Sequence, residues 1–364
     1  FFETKSYGPC TEALKHAIKL DEQNLTYRRL LGDAYRNAAA LDKAAEAYVD
    51  AHTLSPNTKI ENFNLGHVLY TADRFSEAIN FLDKAHRLAP HDPSLALVLA
   101  AAQIKLEHYE SASQVLKKFC DDKTNRADIY RLYGMAQAAL RKNADAIQIF
   151  KEGLQHDPND VQLYNNLASV EQLEHLYGSA LAHLNQSLTL SPEQPLVLKN
   201  LAYACISAFE NVKAVEYIEQ AAAKDSQYAQ AALFIKSYTL FADSEKLLAD
   251  HKAWDKIHGA EGKHQAFSHS NKPASRKKLN IGYLSPDFHN HAVAHFIQEI
   301  LAHHDRSKID VSCFAQIVRR DHITEKVADL TDHWHEIQSL SDFQVAQLIY
   351  DQDIDVLVDL GPHV

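Results

Sequence analysis

Alanine stands at positions 44, 78, 112, 146, 180 and 214, six times at a spacing of 34 residues, and prolines 56, 90, 158 and 192 fall on one grid of the same period. A fixed period of this length marks a chain of supersecondary units that cannot bury their apolar faces singly and must stack. The chain is therefore expected to open as an α-solenoid. Function is then expected on the inner wall of that solenoid and in whatever follows its last unit.

The register reads most clearly in residues 25–58, where Leu31-Gly32, Tyr35, Ala44, Tyr48, Ala51 and Pro56 all occur. This is the tetratricopeptide signature, and the chemistry of each position is steric: Gly32 and Ala44 are small where two helices cross, and Pro56 stops the pair. Units 59–92, 127–160 and 161–194 repeat the pattern, whereas 93–126 and 195–228 keep the alanine but carry Thr124 and Ser226 where the closing proline is due. Residues 1–24 read as a partial repeat ending in the second helix of a further unit, and a start on Phe1 suggests a cut edge.

Composition agrees with a helix-rich, soluble and cytoplasmic protein: 46% hydrophobic, 23% charged, and no apolar run near the roughly 18–20 residues that span a bilayer. Cys10, Cys120, Cys205 and Cys313 show no paired spacing, which argues against a disulfide framework or a thiolate zinc site. A net charge of −11 disfavours nucleic acid as a partner, because phosphate backbones are held by clustered Lys and Arg. Membrane binding is not expected either.

After residue 228 the grid fails. Residues 229–257 read as a helical bridge and 258–278 as a polar, basic linker containing Gly, Ser and Pro. From Leu279 the period changes: LNIGYLS, IDVSCFAQIV and IDVLVDL are short apolar strands separated by helical stretches, which predicts a doubly wound α/β lobe over 279–364. Ligands of such sheets bind beyond the carboxyl ends of the strands, so Ser285 to His295 and Gly361 to Val364 are the segments to watch. Neither is a G-x-G-x-x-G loop or a P-loop. Histidine is over-represented, 22 in 364, and His289, His291 and His295 form H-x-H-x3-H; with no acidic or thiol ligand completing a recognisable set, no metal is expected.

The join of 34-residue repeats to a bridge containing His251 and Trp254, then IGYLSPDFHNHAVAHF and DIDVLVDLGPH, resembles the O-linked N-acetylglucosamine transferases, of bacterial type. The G-Y-x-S-x-D-F-x-x-H segment at Gly282, Tyr283, Ser285, Asp287, Phe288 and His291 is the most specific part. The resemblance implies a two-lobed GT-B enzyme that moves N-acetylglucosamine from UDP-N-acetylglucosamine to Ser or Thr hydroxyls of proteins, with inversion and no metal. His291 matches the family's active-site histidine and would accept a proton or orient sugar and acceptor. Asp287 is a second catalytic candidate, or else the cap of the following helix. Asn290 and His295 are candidate substrate contacts. Gly361 and His363 match a second active-site turn, in which relatives commonly read D-L-x-G-H-T where this chain has Gly-Pro-His-Val.

The sixth position of three units is asparagine: Asn64, Asn166 and Asn200. An amide offers donors and an acceptor, so such a column on inner helices can hydrogen-bond the backbone of an extended acceptor peptide without reading its side chains. The other units carry Leu30, Val98 and Leu132 there, which interrupts the ladder. The chain ends at Val364, within what reads as the first lobe, so a donor-binding second lobe is expected to be missing and this polypeptide alone inactive. The competing reading is a tetratricopeptide interaction scaffold with an inactive α/β appendage. Expected partners are acceptor proteins or peptides and a nucleotide sugar, with self-association through the repeats left open.

Overall fold

The computed structural model describes residues 7–237, 244–259, 267, 278–317 and 320–361. They belong to two compact units, Phe1–Ser226 and Gln227–Val364. In the first, α1 (Tyr7–Leu20) is followed by six helix pairs. These are α2 (Leu25–Asn37) with α3 (Leu41–Leu54), α4 (Lys59–Thr71) with α5 (Phe75–Leu88), and α6 (Pro93–Lys105) with α7 (Tyr109–Asp121). Then come α8 (Ala127–Ala139) with α9 (Asn143–His156), α10 (Val161–Leu173) with α11 (Tyr177–Leu190), and α12 (Pro195–Ser207) with α13 (Asn211–Lys224).

The periodic small residues sit where the helices of a pair cross. All six grid alanines are 0% exposed. A Cβ added at Gly32 would lie 2.5 Å from the Tyr48 ring, at Gly66 2.7 Å from Leu82, and at Gly134 2.4 Å from Phe150. Asn24, Asp92 and Asp160, two units apart, cap α2, α6 and α10 through their side chains, taking up backbone donors that no intrahelical acceptor reaches.

Between the two helices of every pair the chain passes through the left-handed region at a residue that is not glycine: Ala39, Asp73, Glu107, Arg141, His175 and Phe209, all with φ between 57° and 62°. The next residue's N–H returns to a carbonyl five positions back, as in Ala40 to Tyr35 (2.9 Å) and Leu176 to Glu171 (2.8 Å). This is the Schellman closure, which satisfies carbonyls at the helix end. Between pairs, the residue before each grid proline leaves the helical region, with Ser55 at φ −147°, ψ 68° and Ala89 at φ −144°, ψ 71°, because the proline ring disfavours helical geometry there. Thr124 permits a different exit. Lys123 turns left-handed (φ 53°) and Thr124 N–H donates to Phe119 O at 3.0 Å.

From the second pair onward each first helix touches the first helices of its neighbours, α4 on α6, α6 on α8, α8 on α10 and α10 on α12, while second helices make no comparable contact. Elements that meet their own kind along a curved stack lie on its shorter, inner side. The first helices therefore form the inner wall of this unit.

The second unit contains α14 (Ala229–Ser237), α15 (Ser244–His258), β1 (Leu279–Ser285), α16 (Ala292–Ala302), β2 (Ile309–Ala315), α17 (His322–Asp329), β3 (His333–Glu336), α18 (Asp342–Asp351) and β4 (Val356–Asp359). The expected linker over 258–278 lies outside the described residues apart from His258, Gly259, Phe267 and Lys278. The Phe267 ring stacks on Tyr350 and Phe343 of α18, with centroids 4.9 and 6.0 Å away.

Four parallel strands form one sheet in the order β3-β2-β1-β4. Ile281, Tyr283, Val311 and Cys313 pack on Ala294, Ile297 and Leu301 of α16 and on Ile323 and Val327 of α17. Two crossovers run outward from β1 to β3, and the third returns past β1 to β4. The strand order thus reverses between β1 and β4, which is the switch point where open α/β sheets bind ligands. Among the described residues no helix is long and apolar enough to cross a membrane.

Candidate functional site

The loop leaving β1 at the switch point is held at four places. Asp287 N–H donates to Ser285 Oγ (3.0 Å), and Ser285 is fully buried. Phe288 is also fully buried, its ring 5.7 Å from that of Trp334. Asn290 N–H donates to Asp321 Oδ2 at 2.8 Å. His291 is the N-cap of α16, with extended backbone at φ −138°, ψ 156°. Its Nδ1 accepts from Val293 N–H at 3.3 Å. The cap is therefore His291, and the alternative reading of Asp287 as that cap is corrected: Asp287 lies too early, and its own N–H closes a turn on Ser285.

Asp287 instead faces two imidazoles. Its Oδ2 is 3.5 Å from His291 Nδ1 and its Oδ1 is 3.8 Å from His289 Nε2. The two contacts at His291 Nδ1 demand opposite protonation, since the cap needs its lone pair and a bond to Asp287 needs a proton. At 3.5 Å the carboxylate is beyond the roughly 2.7–2.9 Å of a charge-assisted hydrogen bond. The cap governs. A neutral ring with Nδ1 accepting carries its proton on Nε2, and among the described residues Nε2 has no partner. With Nδ1 accepting, a neutral His291 would present an Nε2–H donor on a side chain that is 45% exposed.

The other candidates divide by place. Asn290 and His295 are exposed, and Asn290's backbone rather than its amide makes the contact to Asp321. On the β4 side, Leu360 N–H donates to Leu284 O (2.9 Å) and Gly361 N–H to Asp359 Oδ1 (2.9 Å), which sets Gly361 beyond the strand adjoining β1. His363 and Pro362 lie outside the described residues. Among the described residues no group of three or more His, Cys, Asp or Glu side chains is disposed to hold a metal ion.

In the first unit Asn64, Asn166 and Asn200 lie on α4, α10 and α12 and are half-buried. The Asn200 amide donates to Asn165 Oδ1 of the preceding unit at 3.4 Å, while Asn165 itself donates to Val161 O at 2.9 Å. Asn64 and Asn166 have no side-chain partner among the described residues.

Sequence reasoning passed over Asp321. Its Oδ1 accepts from Ile323 and Thr324 N–H (2.9 Å each) and caps α17, while Thr324 Oγ1 receives its N–H. Hydrogen bonding from the Thr324 N–H first, then from Asn290 and Ile323, lowers the carboxyl to about 2. A polar residue three before Thr324 hints at the cap. The tie to Asn290, 31 residues away, leaves no trace in a linear pattern.

A solenoid of 34-residue helix pairs followed by a parallel sheet with a polar loop at its switch point defines a repeat protein with a doubly wound α/β lobe. Residues 237–363 match the model of Glycosyl transferase family 41, and residues 69–136 match a Tetratricopeptide repeat model. The chain thus carries tetratricopeptide repeats and, over residues 237–363, a segment similar to glycosyl transferase family 41.

Among curated relatives, the probable UDP-N-acetylglucosamine–peptide N-acetylglucosaminyltransferase SPINDLY of Hordeum vulgare is 31% identical over 138 residues. That is 37% of this chain but 14% of the relative. The UDP-N-acetylglucosamine–peptide N-acetylglucosaminyltransferase of Caenorhabditis elegans is 30% identical over 87 residues, 23% of this chain and 8% of its own length. In fold, the chain is similar to a Thermobaculum terrenum O-GlcNAc transferase mutant (TM-score 0.52, 19% identity, 65% of this chain and 46% of that one). It is similar also to a tetratricopeptide repeat protein from Parabacteroides merdae (TM-score 0.53, 16% identity, 65% of this chain and 94% of that one).

Proposed function

We propose that the protein is a glycosyltransferase that moves N-acetylglucosamine from UDP-N-acetylglucosamine to Ser or Thr hydroxyls of proteins, with inversion and without a metal. The observation that carries this reading is His291, a capped and oriented imidazole at the switch point, within the segment that matches family 41.

In this reading the acceptor hydroxyl oxygen attacks the anomeric carbon, the bond from that carbon to the phosphate oxygen breaks, and its electron pair leaves with UDP. The hydroxyl proton must go to a base. Because its Nδ1 lone pair is engaged by Val293 N–H, His291 contributes a donor: Nε2–H fixes a sugar or acceptor oxygen for attack. Asp287 supplies the carboxylate beside that ring that can take the proton. Asn290, His295, Gly361 and His363 are assigned to the substrate-binding rim, and domain limits at 228, 257 and 278 are assigned as read from the sequence. Asn64 and Asn166, with unpaired amides on the inner wall, would hold the backbone of the acceptor; Asn200 would join them through whatever capacity its bond to Asn165 leaves.

The test uses the natural full-length protein with UDP-N-acetylglucosamine, a panel of other nucleotide sugars, and Ser/Thr peptides, read by mass. Transfer of N-acetylglucosamine that vanishes in His291→Ala with folding intact supports the reading. Transfer of another sugar would correct the donor. Peptide binding without transfer from any donor would favour the scaffold reading, and undiminished turnover in His291→Ala would remove the catalytic assignment.

A further inference from the structure

Asp321 holds two things at once. One carboxylate oxygen, Oδ1, closes the first turn of α17 through Ile323 and Thr324. The other, Oδ2, reaches back across the sheet end to the backbone of Asn290, the residue immediately before His291. We infer that Asp321 is the positioning residue of the site: through Asn290 it fixes the loop from which the His291 imidazole is presented. The inference rests on the catalytic reading of His291.

The geometry gives the clamp its weight. The anchors at Ser285 and Phe288 fix the loop before His289, and α16 fixes it after His291. Between them, among the described residues, His289 and Asn290 are otherwise held through the chain, the bond from His291 N–H to His289 O, and the His289 ring's contacts with Asp287 (3.8 Å) and the His291 ring. The clamp lands in that gap. α17 is itself seated by Ile323, Thr324 and Val327, all buried, so the carboxylate is borne on a fixed element. Arg320, adjacent to Asp321, lies over the Trp334 ring (5.9 Å) and pairs with Glu336 (3.2 Å), which ties the approach to α17 to β3. Because the carboxyl is lowered to about 2 by the N–H groups it accepts, it keeps both bonds ionised across the pH range of any ordinary assay.

Two oxygens with two tasks allow the tasks to be separated. Serine is as good an N-cap as aspartate but has one short-reaching oxygen, so Asp321→Ser keeps α17 capped and releases Asn290. Asp321→Asn keeps one acceptor for the cap and turns an NH2 toward Asn290 N–H. In the full-length protein, both variants are expected to keep the wild-type thermal midpoint within a few degrees and to lower kcat on the order of 10–100-fold, as a small displacement of a reacting group does. Amide hydrogen exchange should rise at Asn290 and stay protected at Ile323 and Thr324.

Full kcat with Asn290 released would overturn the inference. So would loss of protection throughout α17. Should the wild type transfer no sugar, the function proposed above fails while the clamp is still judged by exchange and by the 15N shift of His291 Nδ1. That shift is expected to report an unprotonated, hydrogen-bonded nitrogen in the wild type and a tautomer mixture in Asp321→Ser. An unchanged shift would count against positioning.

Discussion

At the scale of single residues the site turns on which nitrogen of His291 is engaged. Asparagine can cap a helix with its carbonyl and still donate through its amide, whereas alanine can do neither. His291→Asn is therefore expected to retain measurable transfer where His291→Ala retains none; equal loss in the two would mean the imidazole must accept a proton. The glycines make a second contrast. At Gly134 an added Cβ would stand 2.4 Å from Phe150, so Gly134→Ala is expected to cost about 1–3 kcal/mol of stability by overpacking. Gly178 in α11 has nothing within 4 Å of an added Cβ, so Gly178→Ala should stabilise by roughly 0.5–1 kcal/mol through helix propensity alone. Urea midpoints would decide both. Gly134 was legible in the sequence because it shares a unit position with Gly32 and Gly66. The role of Asp287 was not, since whether a carboxylate or the imidazole four residues on caps a helix depends on where the first turn starts.

Among elements, the exits from the helix pairs carry the most information. The period suggests restoring the missing grid proline as Thr124→Pro, a change toward the repeat's own pattern. The backbone forbids it: Lys123 is left-handed, a proline after it disfavours that geometry, and the Thr124 N–H donated to Phe119 O would be lost. The substitution is expected to destabilise by about 2 kcal/mol, observable as a lower thermal midpoint; an increase would mean that the exit rearranges to the form seen at Ser55. The left-handed residues between paired helices were likewise invisible, because Ala39, Glu107 or Phe209 gives none of the signal that glycine would. Their conformation is imposed by two helices that must pack after a short connection. By contrast, the alternation of strand and helix from Leu279 and the loop after Leu284 were readable, since apolar runs and their spacing record burial directly.

For the molecule as a whole, several histidines are titration liabilities. Burial lowers His67 and His86 in the repeats and His304 and His335 in the lobe below the ordinary value of 6.5. The unfolded chain therefore binds more protons than the folded one below pH 6.5, and stability present above that value is lost as pH falls through the lowered folded values. Carboxylates such as Asp92, whose value is lowered chiefly by Lys59, add their loss only below the ordinary 3.8. Urea midpoints are expected to fall between pH 7 and 5, and His67→Gln to flatten part of that slope; an unchanged slope would assign it to other histidines.

The inner wall bears on how the repeat unit would respond to an occupant. From α4 onward first helices touch one another along the stack, and second helices make no comparable contact among the described residues. Treated as a beam, such a stack has its neutral line near the wall that carries Asn64, Asn166 and Asn200. Bending opens or closes gaps among the second helices and leaves distances along the first nearly constant. In the proposed reading the asparagines would then act as graduations on a flexible ruler, keeping a nearly constant interval along an acceptor chain while the stack bends.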